Sequence, residues 1–187
     1  MKKVYVDTNI LIDYCWWKYF SESETKKSNS VIAIQKGFDN NSNYEIYISN
    51  YTLIEIANHF RDWFLLKKVT SSGFSYKDFS KEKHKFSLSE EELSLIDKIT
   101  TDLEEHPNIN FIKVDNMGKE FLDKVMVYIK NYVDFFDAIH LRIALDTKCT
   151  YLLTKDSPFR KRIQELINNK LIENQLQPIT LSGLLQL

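Results

Sequence analysis

Four acidic residues, Asp7, Glu55, Asp137 and Asp156, stand where an α/β fold would bring them to one edge. Asp7 ends the β-prone run Val4-Tyr5-Val6, and Asp156 lies just past Thr150 to Thr154. Glu55 sits one turn into the helical stretch after Tyr44 to Ser49, and Asp137 lies near the start of the helix that precedes Thr150. In an open α/β sheet, ligands bind beyond the carboxyl ends of the strands. Carboxylates that converge there repel one another, and a cation between them relieves the repulsion. No Cys or His set competes, so the natural occupants are hard divalent ions with oxygen ligands, Mg2+ or Mn2+. Such ions lower the pKa of an attacking water and stabilise a leaving oxygen, which suits phosphodiester hydrolysis.

Each acid also has a plainer explanation. Glu55 is enclosed by Leu53, Ile54, Ile56 and Ala57, so it is either a solvated helix edge or a partly buried carboxylate that needs a partner. Asp137 has the spacing of the last member of a capping box opened by Asp134. Asp156 precedes Ser157-Pro158, an N-cap and first-turn pair that leaves Asp156 unneeded as a cap. Asp134 is read as a cap, Asp13 as a helix-surface acid and His140 as structural. Lys155, Arg160, Lys161 and Arg162 follow closely around Asp156, either as a solvated helix face or as phosphate contacts.

The elements that must hold these residues alternate in type. Strands are expected over Val4 to Val6, Tyr44 to Ser49, Ile109 to Val114, Thr150 to Thr154 and Ile179 to Leu181. Helices are expected after Asp7, around Val31 to Gln35, and over Tyr51 to Leu66, Glu90 to about Glu105, Met117 to Asn131, Asp134 to Lys148 and Pro158 to about Asn168. Ser89 and Glu92 have the spacing of a capping box at the start of the fourth of these. Ser21 to Ser30 reads as a loop, Asp39 to Asn43 as a turn, and Lys67 to Phe86 as a mobile exposed stretch without periodicity. Alternating strands and helices give a parallel sheet with helices on both faces.

At 187 residues the chain has the length of one ordinary domain. A net charge of −1 and a pI near 6.4 give no global basic field. A nucleic-acid partner would then need only a local basic patch beside metals that screen the phosphates. Cys15 and Cys149 match no zinc or redox spacing, and no signal peptide is read, so a reduced cytoplasmic setting is expected. No apolar run approaches the roughly 20 residues that span a bilayer, so no membrane partner is expected.

Val6-Asp7-Thr8-Asn9, Thr52-Leu53-Ile54-Glu55, Asp137-Ala138-Ile139-His140-Leu141 with Ala144, and Leu153-Thr154-Lys155-Asp156 together resemble the PIN domain. The chain is similar to its VapC-type ribonuclease toxins from Lys3 to about Leu181. The resemblance implies a three-layer α/β/α fold on a central parallel sheet of about four to five short strands. It implies Asp7, Glu55, Asp137 and Asp156 as the catalytic metal site, with Asn9 and Thr154 orienting carboxylates. The implied activity is Mg2+-dependent endonucleolytic cleavage of RNA, with a cognate antitoxin as a further partner. The stretch from about 67 to 106 is longer than compact VapC toxins carry there, and is expected to be an insertion in a single domain. Trp16, Trp17, Tyr19 and Trp63 are assigned to core and to the surface of an expected homodimer.

Other readings are a PIN-fold module that binds RNA or protein without cutting, and a structure-specific DNA nuclease. A haloacid-dehalogenase-type phosphatase would want a second Asp two residues after Asp7, where Asn9 stands. Four glycines in all and no GxxxxGK[ST] exclude a P-loop enzyme.

Overall fold

The computed structural model describes residues 1–21, 27–38, 42–115, 117–172 and 176–186. Its contacts divide the chain into two compact units, Met1–Thr52 with Pro107–Leu187, and Leu53–His106.

The first unit is built on five strands: β1 (Lys2–Val6), β2 (Tyr44–Ser49), β3 (Ile109–Ile112), β4 (Tyr151–Leu153) and β5 (Gln177–Ile179). They pair in parallel in the order β3-β2-β1-β4-β5. From β1 the chain steps outward to β2 and β3 on one side, then returns to place β4 on the other side of β1. The sheet therefore has its switch point between β1 and β4, where crossovers leave toward opposite sides and open a crevice beyond the strand ends. The residues that leave those two strands are Asp7 and Thr154-Lys155-Asp156.

Helices α1 (Thr8–Phe20) and α2 (Asn29–Gly37) pack on each other, and the closing helix of the chain (Leu181–Leu185) packs on α2. On the other face, helices over Lys119–Lys130, Phe135–Asp146 and Ser157–Asn168 share one core with Tyr5, Leu152 and, more peripherally, Tyr47. The registers Tyr5↔Tyr47 and Tyr5↔Leu152 align these three residues across the sheet. Their neighbours Val4, Val6, Ile46 and Leu153 point the other way, as strand alternation requires. Both sheet faces are apolar, which is the pattern of a parallel sheet covered by helices on both sides.

Gly37, the last residue of α2, is where the second layer comes closest to the sheet. A Cβ there would stand 2.4 Å from Ile46 Cδ1 and 3.0 Å from Tyr44 Cε2. Ile46 is 1% exposed and has nowhere to go. Gly37→Ala is expected to lose about 1–2 kcal/mol, because overpacking outweighs the gain in helix propensity. The check is the denaturant midpoint of unfolding, which should fall with an unchanged slope.

The second unit holds most of α3 (Asn50–Ser71), the short helix α4 (Phe79–Glu82) and α5 (Glu90–Glu104). Helix α5 opens on the expected capping box: Ser89 Oγ accepts from Glu92 N at 3.2 Å, and Ser89 N donates to Glu92 Oε2 at 2.7 Å. Ile99 and Leu103 are its buried residues. Continuing the numbering, the later helices of the first unit are α6 (Lys119–Lys130), α7 (Phe135–Asp146), α8 (Ser157–Asn168) and α9 (Leu181–Leu185).

Several boundaries differ from the expected ones. Helix α3 continues past Leu66 to Ser71 and ends in Gly73 at φ +87°. The rest of the stretch expected to lack structure is a chain of short turns: a 3-10 turn at Tyr76–Asp78, α4, and a second 3-10 turn at Lys83–Lys85. It contains no fully buried residue, and that much of the expectation agrees. The last strand is Gln177–Ile179 rather than Ile179 to Leu181, and Leu181 starts α9. Residues 22–26 of the expected Ser21 to Ser30 loop and 39–41 of the expected Asp39 to Asn43 turn lie outside the described residues, and Asn29 and Ser30 already belong to α2.

Candidate active site

Strand β1 delivers Asp7 to the carboxyl edge of the sheet, where it occupies the N-cap position of α1 without capping it. Only 6% of Asp7 is exposed, so its charge needs compensation. Two neighbours supply it. Asn9 Nδ2 donates to Asp7 Oδ2 at 2.8 Å, and the Thr154 hydroxyl donates to the same oxygen. Thr154, fully buried at the end of β4, also accepts from Asn9 Nδ2 at 3.2 Å and from the Asp156 N–H at 3.0 Å. The main chains are joined too, since Asp7 N donates to Leu153 O at 3.0 Å. One hydroxyl thus ties the carboxylate after β1 to the backbone of the acid after β4.

Thr154→Val keeps the shape and removes that hydroxyl. Asp7 loses a donor, and the Asp156 N–H loses its acceptor, both close to the core. A cost of about 1–3 kcal/mol is expected, typical of orphaned buried polar groups. Urea unfolding of the variant beside the wild type measures it.

Asp156 corrects the sequence reading. It is itself the N-cap of α8: its Oδ1 accepts from Phe159 N at 2.8 Å, and Ser157 is already helical. The physical reason is that Asp and Ser are comparable caps, and the Thr154 contact holds the Asp156 backbone in the extended form a cap needs. Its second oxygen is not used by this cap.

Asp137 sits in the first turn of α7, whose N-cap is Asp134, with its side chain accepting from Phe136 N at 3.1 Å. No capping box forms there, and no hydrogen bond from the described residues reaches the Asp137 carboxylate. Burial pushes its carboxyl from 3.8 up to about 7, and the charges of Asp7, Asp156 and Asp134 push the same way. Three aspartates from β1, α7 and the β4–α8 turn therefore share one electrostatic environment. Glu55, half-buried in α3, belongs to the second unit.

These donors suit a hard divalent cation by chemistry: all are carboxylate oxygens, and the repulsion at Asp137 is of the kind a cation relieves. As placed, no three His, Cys, Asp or Glu among the described residues converge closely enough to chelate an ion.

Three of the four cations near Asp156 have internal partners. Lys155 pairs with Asp13, which also accepts from Ser30 Oγ at 2.7 Å. Arg160 Nη1 donates to Thr154 O at 2.8 Å, and Arg162 pairs with Glu165 at 2.7 Å while lying over the Tyr132 ring. Lys161 is exposed. Cys15 and Cys149 are free, buried thiols, each pushed up to about 12 by burial, which leaves them unreactive.

Beneath the carboxylates lies a polar network that the sequence did not reveal. The Tyr5 hydroxyl meets His140 Nδ1 at 2.8 Å and Ser49 Oγ at 2.8 Å, with Thr52 Oγ1 at 3.4 Å. It joins β1, the end of β2, the start of α3 and α7, all within the first unit, just under Asp7 and Asp137. His140 is 1% exposed, in keeping with a structural role. The only sequence signal was a tyrosine set between valines of a buried strand.

An all-parallel five-stranded sheet with acids gathered at its β1–β4 switch point defines a class of α/β protein with its working edge there. The PIN domain family model matches residues 4–163, and the chain belongs to the PIN domain family, a nuclease-type fold. No curated protein matches the chain. Among the described residues, no helix is long and apolar enough to cross a membrane.

Proposed function

We propose that the chain is a Mg2+- or Mn2+-dependent endoribonuclease that hydrolyses RNA phosphodiester bonds. The observation that carries this reading is Asp137: burial raises its pKa, and Asp7 and Asp156, from separate elements, are close enough to raise it further. A protein has little reason to hold like charges together unless a cation balances them. Asp7, Asp137 and Asp156 would hold the ion, and Glu55 joins them on its motif Thr52-Leu53-Ile54-Glu55 alone. A bound divalent ion supplies an activated water and charge neutralisation at the phosphate.

The chain's own residues do the rest. Asn9 and Thr154 fix the buried Asp7 carboxylate in one orientation. Asp137, held near neutrality and given no hydrogen bond by the described residues, is poised to release its proton when a cation arrives. Lys155, Arg160, Lys161 and Arg162 bring positive charge to the same edge for the RNA backbone, Lys155 and Arg162 by exchanging their present carboxylate partners for phosphate. The 67–106 stretch is an insertion within this one nuclease domain, and a cognate antitoxin and homodimer assembly belong to the same reading.

A second reading, a PIN-fold module that binds without cutting, has one observation in its favour: among the described residues no group of three or more His, Cys, Asp and Glu is arranged to hold a metal ion. The test incubates the protein with RNA and DNA strands of one sequence, with Mg2+ and with chelator. Cutting of RNA alone, and only with the metal, is the expected result. Equal cutting of DNA would make the chain a DNA nuclease, and no cutting would favour the binding module.

A further inference from the structure

Six lysines and two acids lie between Lys67 and Phe86, in a chain whose net charge is −1. Both acids are occupied. Asp78 Oδ2 accepts from the Ser75 hydroxyl at 2.6 Å and from the Ser75 N–H at 3.1 Å, and Glu82 pairs with Lys85 at 2.7 Å. Lys68 and Lys83 pair with Glu92 and Asp62. Lys77 and Lys81 are exposed, with no acid partner among the described residues, and Lys67 lies 3.7 Å from the centre of the Trp63 ring. Aromatic rings are interleaved with these charges. Tyr76 is 73% exposed and Phe74 is 40% exposed. Lys85 lies over the Phe74 ring at 5.9 Å. Two short 3-10 turns and α4 make up most of this run, and Phe74, Tyr76, Lys77 and Lys81 are exposed on it.

We propose that this face of the second unit binds single-stranded RNA, with Tyr76 and Phe74 stacking on bases and Lys67, Lys77 and Lys81 contacting phosphates. Exposed rings set among lysines are the arrangement that grips a flexible strand: stacking tolerates any base, and the lysines follow the backbone. A duplex hides its base faces and would gain only the charge contacts. An apolar protein partner would not call for the lysines. The inference deepens the ribonuclease reading by naming where the substrate strand is held.

The test uses the full-length protein in excess chelator, so that nothing is cut, and fluorescence anisotropy of a short labelled oligouridylate. Tyr76→Ala is expected to weaken binding about tenfold, and Tyr76→Phe to bind as the wild type does. Lys77→Gln and Lys81→Gln should each reduce the slope of log affinity against log salt by about 0.7. All four substitutions fall on exposed residues, so melting temperatures should not move. Tyr76→Ala binding as tightly as wild type would overturn the proposal, and so would equal losses in Tyr76→Ala and Tyr76→Phe or an equal loss on duplex RNA. If Tyr76→Ala loses binding while the wild type with Mg2+ cuts no RNA, this surface stands and the nuclease reading falls. If the wild type cuts and Tyr76→Ala binds normally, only this surface falls.

Discussion

Asp137→Asn is expected to lower RNA cleavage by at least about a hundredfold while making the metal-free protein more stable at neutral pH. The two effects have one cause. The side chain is half-buried beside Asp7 and Asp156, and its charge is unwelcome until a cation is present. Asparagine keeps the size and removes the charge, so a bound ion would lose a ligand and the water it would activate would lose its setting. Stability should depend on pH in a defined sense. The Asp137 carboxyl titrates near 3.8 when unfolded and near 7 when folded without metal. The folded state therefore binds the extra proton between those values. The stability this contributes is fully present below the lower pKa and is lost as pH rises through the upper one. The amide of the variant has no proton to lose. Its melting-temperature advantage should be small at pH 4, should grow through pH 6, and should level off above pH 7. An advantage that is flat with pH would mean that Asp137 is not held in the repulsive setting described.

Millimolar Mn2+ or Mg2+ should raise the melting temperature of the wild type and leave that of Asp7→Asn unchanged. A ligand that binds only the folded state stabilises it by mass action, about 2.7 kcal/mol at a hundred times its Kd. Asp7 is the most buried of the acids and the one fixed by both Asn9 and Thr154, so it should be the anchor of the ion. Asp7→Asn keeps a hydrogen-bonding side chain next to both neighbours and should still fold. A metal shift of equal size in wild type and Asp7→Asn would place the ion elsewhere.

The sequence disclosed what local rules decide. Tyr44–Ser49 is a strand, as its sequence predicts, because its β-prone residues are bounded by turn formers and a polar helix start. The Ser89–Glu92 capping box is specified by two residues three apart and needs no knowledge of the fold. Helix α3 ran on unseen because Lys67, Lys68 and Thr70 are polar and Val69 is the one fully buried residue among them, which erases the periodic signal. Strand β5 includes Pro178 and so starts earlier than Ile179, which is possible because β5 is an edge strand, where a missing N–H is tolerated.

Of the four acids singled out in the sequence, Asp7, Asp137 and Asp156 come near enough to influence one another, and how they are held depends on contacts that no local pattern carries. Asp7 could be placed from its strand alone. Asp156 was read as free because Ser157 looked sufficient as a cap, and only the Thr154 contact shows why the earlier residue takes that position. The Tyr5–Ser49–His140 network joins residues 44 and 135 apart in sequence, so its pairing depends on the topology and no local pattern carries it.

The most direct measurement is cleavage of a mixed RNA pool by purified wild type with Mg2+, by the same sample after chelation, and by Asp7→Asn prepared identically. The account predicts cutting in the first alone, restored to the second by adding Mg2+ back. Cutting that survives chelation, or an Asp7→Asn protein that cuts as fast as the wild type, would contradict it.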